Sequence, residues 1–405
     1  MKILLATSAI IPSGGGIASY NQELINAIGQ NNAIYALTDE KLEKASKIIK
    51  VYSTYGKNIY SYEYCQSLVN QLNSSNYDLI INSNSKVISI ICPYLSIPIV
   101  SVSHFVNGKL AIVAGYNAQF IERIIALSFY GKQFIERKFN VLDESKIKVI
   151  HNSVDLTDDI FDVKKTKVTT IKIVYPGGTS IQKSFDVVIR VLRKLSKDKS
   201  LNFKFYWLGN KILPSADICL AKDISSLINP DKRILFLGKI KRDEAIEIMK
   251  ESNIFLLPSR GEGCPMTLLE AMQFGCIPIV SDAHHGSREI LEDGDFGLIV
   301  KNNSVNSLYK AILSVITLHE NYSENYLKTY NYSRTHLSKK AWISQMQNLI
   351  KESVIKSSKE VVLLSKKHFV HNVRKFKAAI WIERRKDQLR SLLSSIICNW
   401  LFLSK

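Results

Sequence analysis

Short apolar runs alternate along this chain with longer amphipathic stretches, and polar turns bearing glycine or proline separate them. In the first half the apolar runs fall at residues 2–9, 78–82, 97–102 and 147–150 and read as strands. Residues 18–28, 64–73, 86–94 and 132–139 space their apolar positions as helices do. The second half repeats the scheme, with strands expected at 171–175, 203–208, 234–239, 254–257, 276–280 and 298–300. Helices are expected there at 185–195, 241–250, 266–273, 304–320 and 330–354. Strand, helix and strand in regular succession predict parallel sheets layered with helices, an α/β fold. Residues 38–64 are harder to place; Tyr52, Tyr55, Tyr60, Tyr62 and Tyr64 crowd there, suited either to a ligand-facing surface or to sheet packing. The polar, aperiodic stretch 158–170 reads as a linker, which divides the chain into domains at 1–160 and 170–330, with helices at 331–354 and a tail at 357–405.

Residues 253–280, NIFLLPSRGEGCPMTLLEAMQFGCIPIV, carry the densest chemical signal. A strand ends at Pro258, where a ladder donor is lost. A turn with an arginine, a carboxylate and two glycines follows, and a helix runs from Met266 to Gln273 with Leu268, Leu269 and Met272 on one face. Gly275 stops the helix and a second strand begins. Such a β-turn-α-turn-β unit is where open parallel sheets hold ligands beyond their strand ends. Pro265 suits the first helical turn, and the N–H groups of Cys264, Met266 and Thr267 are left without intrahelical acceptors. That end attracts an anion, most often a phosphate. Glu262 before the helix and Glu270 within it can accept hydrogen bonds from sugar or ribose hydroxyls. Spacing alone leaves open the plainer reading, in which Glu262 caps a loop and Glu270 is a solvated helix residue.

The totals narrow the class without choosing it. With 405 residues and 46% hydrophobic content the chain is long and apolar enough for two folded domains and an extension. A formal net charge of +18 suits nucleic acid, an anionic membrane or negatively charged substrates alike. The six cysteines form no CxxC pair and the eight histidines no HxxxH or HExxH pattern, so reduced thiols and no metal centre are expected. Residues 1–12 lack the basic region and cleavage context of a signal peptide, and no apolar stretch reaches the roughly 18 residues of a membrane span. A cytoplasmic protein is expected.

Glu262-Gly263, Pro265, Leu269-Glu270-Ala271, Gly275 and Pro278 stand in an order and spacing that resembles the signature of the family 4 retaining glycosyltransferases. The likeness extends over about residues 2–354. It implies two Rossmann-like domains facing across a cleft, the GT-B arrangement, and a nucleotide-diphosphate sugar, most simply a UDP-sugar, as donor without metal or other cofactor. The family's Glu-x7-Glu pair would be Glu262, holding sugar hydroxyls, and Glu270, holding the ribose. Gly15 and Gly16 would lie in the glycine loop facing the donor diphosphate, and His104, just past a strand, beside the donor sugar. Asn152-Ser153-Val154-Asp155 resembles the Asn-Gly-Val-Asp at the end of the family's first domain, and Gly286 and Glu289 match its element beside the donor. His284 and His285 are expected as plain loop residues. Gly177 and Lys183 match the diphosphate turn of the second domain. Lys183 and Arg260, with the N–H groups of Cys264, Met266 and Thr267, would then meet charge on the leaving diphosphate. Two departures stand out: Gly178 occupies the place of the family's arginine and Ser184 that of its second glycine.

The tail lies outside the resemblance. Between Lys366 and Arg390 nine lysines or arginines and two acids interleave with Val370, Val373, Phe376, Ile380, Trp381 and Leu389. That pattern reads as an interfacial amphipathic helix holding the protein at the inner face of a membrane. The alternatives are a packed helical tail that makes a homo-oligomer and, last, a nucleic-acid patch. The whole predicts a retaining transferase that moves a hexose or N-acetylhexosamine to a glycan hydroxyl, lipid-linked, in surface polysaccharide assembly. Two rivals are a nucleotide-sugar epimerase on the same fold and an inactive scaffold that binds a partner glycosyltransferase.

Overall fold

The computed structural model describes the chain except residues 11–15, 43, 105–107, 142, 155–168, 180, 210–230, 284–285, 319–321, 356–360 and 404–405, and the side chains of 144, 323, 387 and 390–403. It comprises two compact units: Met1–His151 with Trp342–Lys405, and Asn152–Ala341.

The first unit opens with β1 (Lys2–Thr7), α1 (Gly16–Ile28), β2 (Ala33–Thr38) and β3 (Lys50–Ser53). Then come α2 (Tyr62–Asn73), β4 (Leu79–Ser83), α3 (Lys86–Ile91), β5 (Ile99–Ser103), α4 (Gly108–Gly115), β6 (Arg123–Ala126), α5 (Phe129–Phe139) and β7 (Ile147–Val149). All neighbouring strands run parallel, in the order β3-β2-β1-β4-β5-β6-β7. β4 and β5 are buried at every position, because helices cover both faces of a parallel sheet. The strands β2 and β3 lie in or beside the stretch whose pattern was unclear. Each is short, and β3 at the sheet edge is only half-buried, so its apolar signal is weak.

The second unit contains β8 (Ile171–Tyr175), α6 (Phe185–Lys197), β9 (Phe203–Leu208), β10 (Ile234–Gly238), α7 (Arg242–Glu251) and β11 (Ile254–Leu257). It continues through α8 (Met266–Gln273), β12 (Ile277–Asp282), α9 (Gly286–Ile290), β13 (Leu298–Lys301), α10 (Val305–Thr317) and α11 (Ser323–His336). Its six strands are again all parallel, ordered β10-β9-β8-β11-β12-β13. In each sheet the order reverses beside the first strand, between β1 and β4 and between β8 and β11. Loops leaving those two strands diverge there and open a crevice, which is where doubly wound sheets take ligands.

The unit boundary lies at His151, ahead of the stretch 158–170 read as a linker, of which 158–168 falls outside the described residues. Asn152 and Val154 explain it: Asn152 bonds the loop before α8, and the Val154 N–H donates to the Leu337 carbonyl at 3.1 Å.

α12 (Lys339–Ile355) and α13 (Lys366–Leu403) close the chain. The structure corrects the reading of the tail as an apolar face offered to lipid. Phe369, Val373, Phe376 and Ile380, one helical turn apart, are buried in the first unit's core. Tyr62 and Tyr116 meet Phe369 and Phe376 edge-on, with ring centroids 5.8 and 5.0 Å apart, and the Lys377 ammonium sits 4.2 Å from the Tyr60 ring centre. Most of the tyrosine cluster thus packs the sheet and receives this helix. Buried Glu383 is matched by Lys138 and Lys386, each at 3.2 Å. The opposite side exposes Lys367, His371, Arg374, Trp381, Arg385 and Leu389. Among the described residues no helix is long and apolar enough to cross a membrane.

Candidate active site

Loops after β8 and β11 build the second unit's crevice. β8 ends in Pro176-Gly177-Gly178, and Tyr175, fully buried, fills the space beneath. A Cβ at Gly177 would lie 2.2 Å from the Tyr175 ring, so only glycine lets the chain pass. The same phenol donates to the Lys183 carbonyl at 3.0 Å, fixing the short 3₁₀ turn Ile181–Lys183 from which the lysine projects. Ser184 follows with φ 56° and ψ 39°, a left-handed conformation that accounts for the glycine usual at this place in the resembled family.

The β11 loop is tied to that turn. The Arg260 N–H donates to the Gln182 carbonyl at 2.7 Å, and Gln182 Nε2 returns a bond to the Gly261 carbonyl at 3.1 Å. Ser281 holds the Ser259 carbonyl from below, and the Gly286 N–H holds that of Gly263 at 3.1 Å. This lacing brings Lys183 Nζ to 2.5 Å from Glu262 Oε1, although the two are far apart in sequence.

α8 begins after Pro265, which sits at the N-cap with φ −72° and ψ 116° rather than in the first turn as the sequence suggested. Proline supplies no capping side chain, so the first helical amides, Met266 and Thr267 among them, have no cap acceptor. Cys264 is buried beside them. Its carbonyl accepts from Asn152 Nδ2 at 2.6 Å and its sulfur from the Asn152 N–H at 3.2 Å. Burial pushes the thiol up to about 12, so it is a packing group and no nucleophile.

Glu270 is 5% exposed at its side chain, and a lone carboxylate there would be strongly unfavourable. Arg242, the first residue of α7, meets it with Nη2 at 2.5 Å while staying 65% exposed. Nothing in the sequence pattern marked Arg242, because it lies 28 residues away across a packing contact.

Arg260 takes a different place from the one expected beside a phosphate. Its guanidinium donates to Asp186 at 2.8 Å, to the Ile181 carbonyl at 2.5 Å and to Asn303 at 2.7 Å. Asp186, 3% exposed, captures it together with Arg190. The arginine is a structural strut of the crevice.

In the first unit the corresponding crevice holds His104. Its Nε2 lies 2.7 Å from Ser83 Oγ, which also bonds Asn21 Oδ1 at 2.6 Å. Tyr20 meets the imidazole edge-on at 4.8 Å. Burial holds the imidazole well below its usual value, at about 4, so it is neutral near pH 7. Gly16 opens α1 with nothing within 4 Å of the point where a Cβ would stand. Gly15, His284 and His285 lie outside the described residues. Lys183, Glu262, Cys264, Pro265, Met266, Thr267 and Glu270 are therefore gathered in one unit and His104 belongs to the other. Asn152 was marked only as part of its motif, and Tyr175, Gln182, Asp186, Asn21 and Ser83 escaped the sequence reading; single residues whose partners lie on distant segments leave no periodic trace.

Residues 157–334 match the model of the family "Glycosyl transferases group 1". The chain is 24% identical over 215 residues to the amylovoran biosynthesis glycosyltransferase AmsD of Erwinia amylovora, covering 51% of this chain and 55% of the relative. It is 27% identical over 213 residues to the UDP-Gal:alpha-D-GlcNAc-diphosphoundecaprenol alpha-1,3-galactosyltransferase of Escherichia coli, covering 49% and 52%. This chain spans about half the length of the curated relatives it matches. Among solved structures, Anabaena Alr3699/HepE in complex with UDP superposes with a TM-score of 0.70 at 16% identity, covering 87% of this chain and 100% of that one. That likeness establishes a fold of two Rossmann-like domains, the GT-B class. What the comparisons give the chain is thus a likeness to the glycosyl transferases group 1, carried by residues 157–334.

Proposed function

We propose that this protein transfers a hexose or N-acetylhexosamine from a nucleotide-diphosphate sugar to a hydroxyl of a glycan, with retained anomeric configuration. One observation carries the reading: an uncapped helix start flanked by two buried or half-buried carboxylates, each already paired with a cation. The diphosphate lies against the amides of Cys264, Met266 and Thr267, where aligned N–H groups and the helix dipole favour negative charge. Lys183 turns from Glu262 toward it. Glu262 then accepts from sugar hydroxyls and Glu270 from the ribose, as ionised acceptors do. The bond from the anomeric carbon to the diphosphate oxygen breaks as the acceptor oxygen bonds on the same face, and the acceptor proton passes to the departing phosphate. Lys183 and the helix amides stabilise the charge that develops, and the scheme needs no metal. The HepE structures in complex with UDP and with UDP-glucose support UDP-sugar as donor, and the diphosphoundecaprenol in the Escherichia coli relative's name supports a lipid-linked acceptor. The exposed basic side of α13, with Trp381, supports peripheral attachment at the cytoplasmic membrane face.

A second reading has a specific observation behind it. Gly178 replaces the family's arginine, and Arg260 is engaged elsewhere, which leaves fewer cations for a leaving diphosphate and favours a silent scaffold. One experiment separates the readings: the protein is incubated with a panel of labelled nucleotide sugars and a membrane lipid extract. Label transferred to a lipid product supports the transferase, and its loss in Glu270→Ala ties turnover to this site. Release of a free, altered nucleotide sugar identifies an epimerase, and no turnover with any donor favours the scaffold.

A further inference from the structure

A diphosphate at the start of α8 brings more negative charge than Lys183 alone balances. Arg260 is engaged by Asp186, the Ile181 carbonyl and Asn303. Gly178, in the turn after β8, has a left-handed φ of 53° and brings no side chain. Its N–H donates to the Leu208 carbonyl and its carbonyl accepts from the Trp207 indole, each at 2.8 Å. A further cation stands on α7, which lies against α8. Arg242 is the first residue of that helix, where the dipole disfavours positive charge, and α7 buries only Met249. Among the described residues its one side-chain partner is Glu270, and it keeps 65% of its side chain exposed. The pair lies close to the free amides. Glu270 follows Met266 by one turn on the same face of α8, about 6 Å along the axis. Helical side chains lean toward the N-terminus, which carries the carboxylate and the guanidinium on it back toward Met266.

We propose that Arg242 changes partners when the donor binds: it gives up Glu270 to the ribose hydroxyls and moves onto the diphosphate, where it joins Lys183 in balancing the leaving group. The exchange rests on the transferase reading above, which supplies its diphosphate. Hydroxyls are neutral, so once they occupy Glu270 the guanidinium loses part of its counter-charge just as a stronger one arrives within reach of a long side chain. Its planar fork meets carboxylate and phosphate oxygens alike, so the second partner suits it as well as the first. In the empty site the same residue shields a carboxylate that is 5% exposed. Arg242 thereby makes the site respond to ribose and phosphate together. A uridine nucleoside displaces it without offering it a phosphate and gains nothing from it.

The test is calorimetry of UDP with the full-length protein in a double-mutant cycle. Arg242→Gln should weaken UDP by roughly 10- to 100-fold, the range for a lost charged contact. The same loss is expected in a Glu270→Gln background, where no buried carboxylate is left without its cation. No further loss in that background means that the arginine only orients Glu270, and overturns the exchange. Lys241→Ala removes the same charge one residue away and should change UDP affinity far less; an equal loss reduces the effect to net charge and overturns the exchange too. Phenylglyoxal, which modifies exposed guanidinium groups, needs no variant to fold. Saturating UDP should slow modification of Arg242, read by mass spectrometry, and uridine should not; equal rates with and without UDP, or equal protection by the two ligands, overturn the exchange. Failure of the wild-type protein to bind UDP refutes the transferase reading itself, whereas wild-type binding that Arg242→Gln matches refutes the exchange alone.

Discussion

Replacing Arg260 by alanine should destabilise the second unit far more than it weakens nucleotide binding. The side chain is 17% exposed and its charge partner Asp186 3%. Its bonds to the Ile181 carbonyl and Asn303 are worth about 1 kcal/mol each, and the charged bond to Asp186 about 1.5–3 kcal/mol. Because Arg190 still reaches Asp186 at 3.2 Å, the carboxylate is not abandoned and the sum stays at about 3.5 kcal/mol rather than rising to about 5. For a unit of this size that lowers Tm by roughly 7–14 °C. Lys183→Ala is the matched control. Its pair with Glu262 is part-exposed at 30% and 12%, so about 1 kcal/mol or less of stability is at stake. Loss of a charged contact to a diphosphate should weaken UDP binding by roughly 10- to 100-fold. Thermal unfolding followed by calorimetry with UDP, at a temperature where both variants are folded, reads both quantities. An Arg260→Ala protein with unaltered Tm and UDP affinity as poor as that of Lys183→Ala would refute the strut and return Arg260 to the phosphate.

Phe376→Ala should cost about 3–5 kcal/mol of stability, since the ring is fully buried against Tyr116; Arg385→Glu on the exposed side of the same helix should change it by under about 0.5 kcal/mol. Equal denaturation midpoints for the two would show that α13 is not part of the core. Ser184→Gly should raise stability by about 1 kcal/mol, because the left-handed backbone strains a serine whose buried hydroxyl has no partner among the described residues; a lower Tm would contradict this. His104, held at about 4 against an ordinary 6.5, binds fewer protons folded than unfolded between those values. Its contribution is complete above pH 6.5 and is lost as pH falls toward 4, about 3 kcal/mol in all. Urea titrations of wild type and His104→Gln should therefore converge in that window, and parallel curves would show that the imidazole titrates normally.

Local order was legible because it is written locally. Apolar runs bounded by proline and glycine marked β8, β9 and β11, and the spacing of Leu268, Leu269 and Met272 marked α8 at its true bounds. The chemistry of residues 258–270 could be read for the same reason: strand end, glycine turn and helix start are consecutive, so their geometry follows from neighbours. Partners across the fold could not be read. Arg260 and Lys183 are both cations in glycine-bearing turns, and only the position of Asp186 on α6 makes one a strut and leaves the other beside Glu262. Phe376 and Trp381 are both apolar positions in a basic helix, and only packing against the tyrosines of the first unit buries the one and exposes the other. Periodicity fixes which face a residue shares; what lies opposite that face depends on contacts between segments distant in sequence, and those exist only once the sheets have formed.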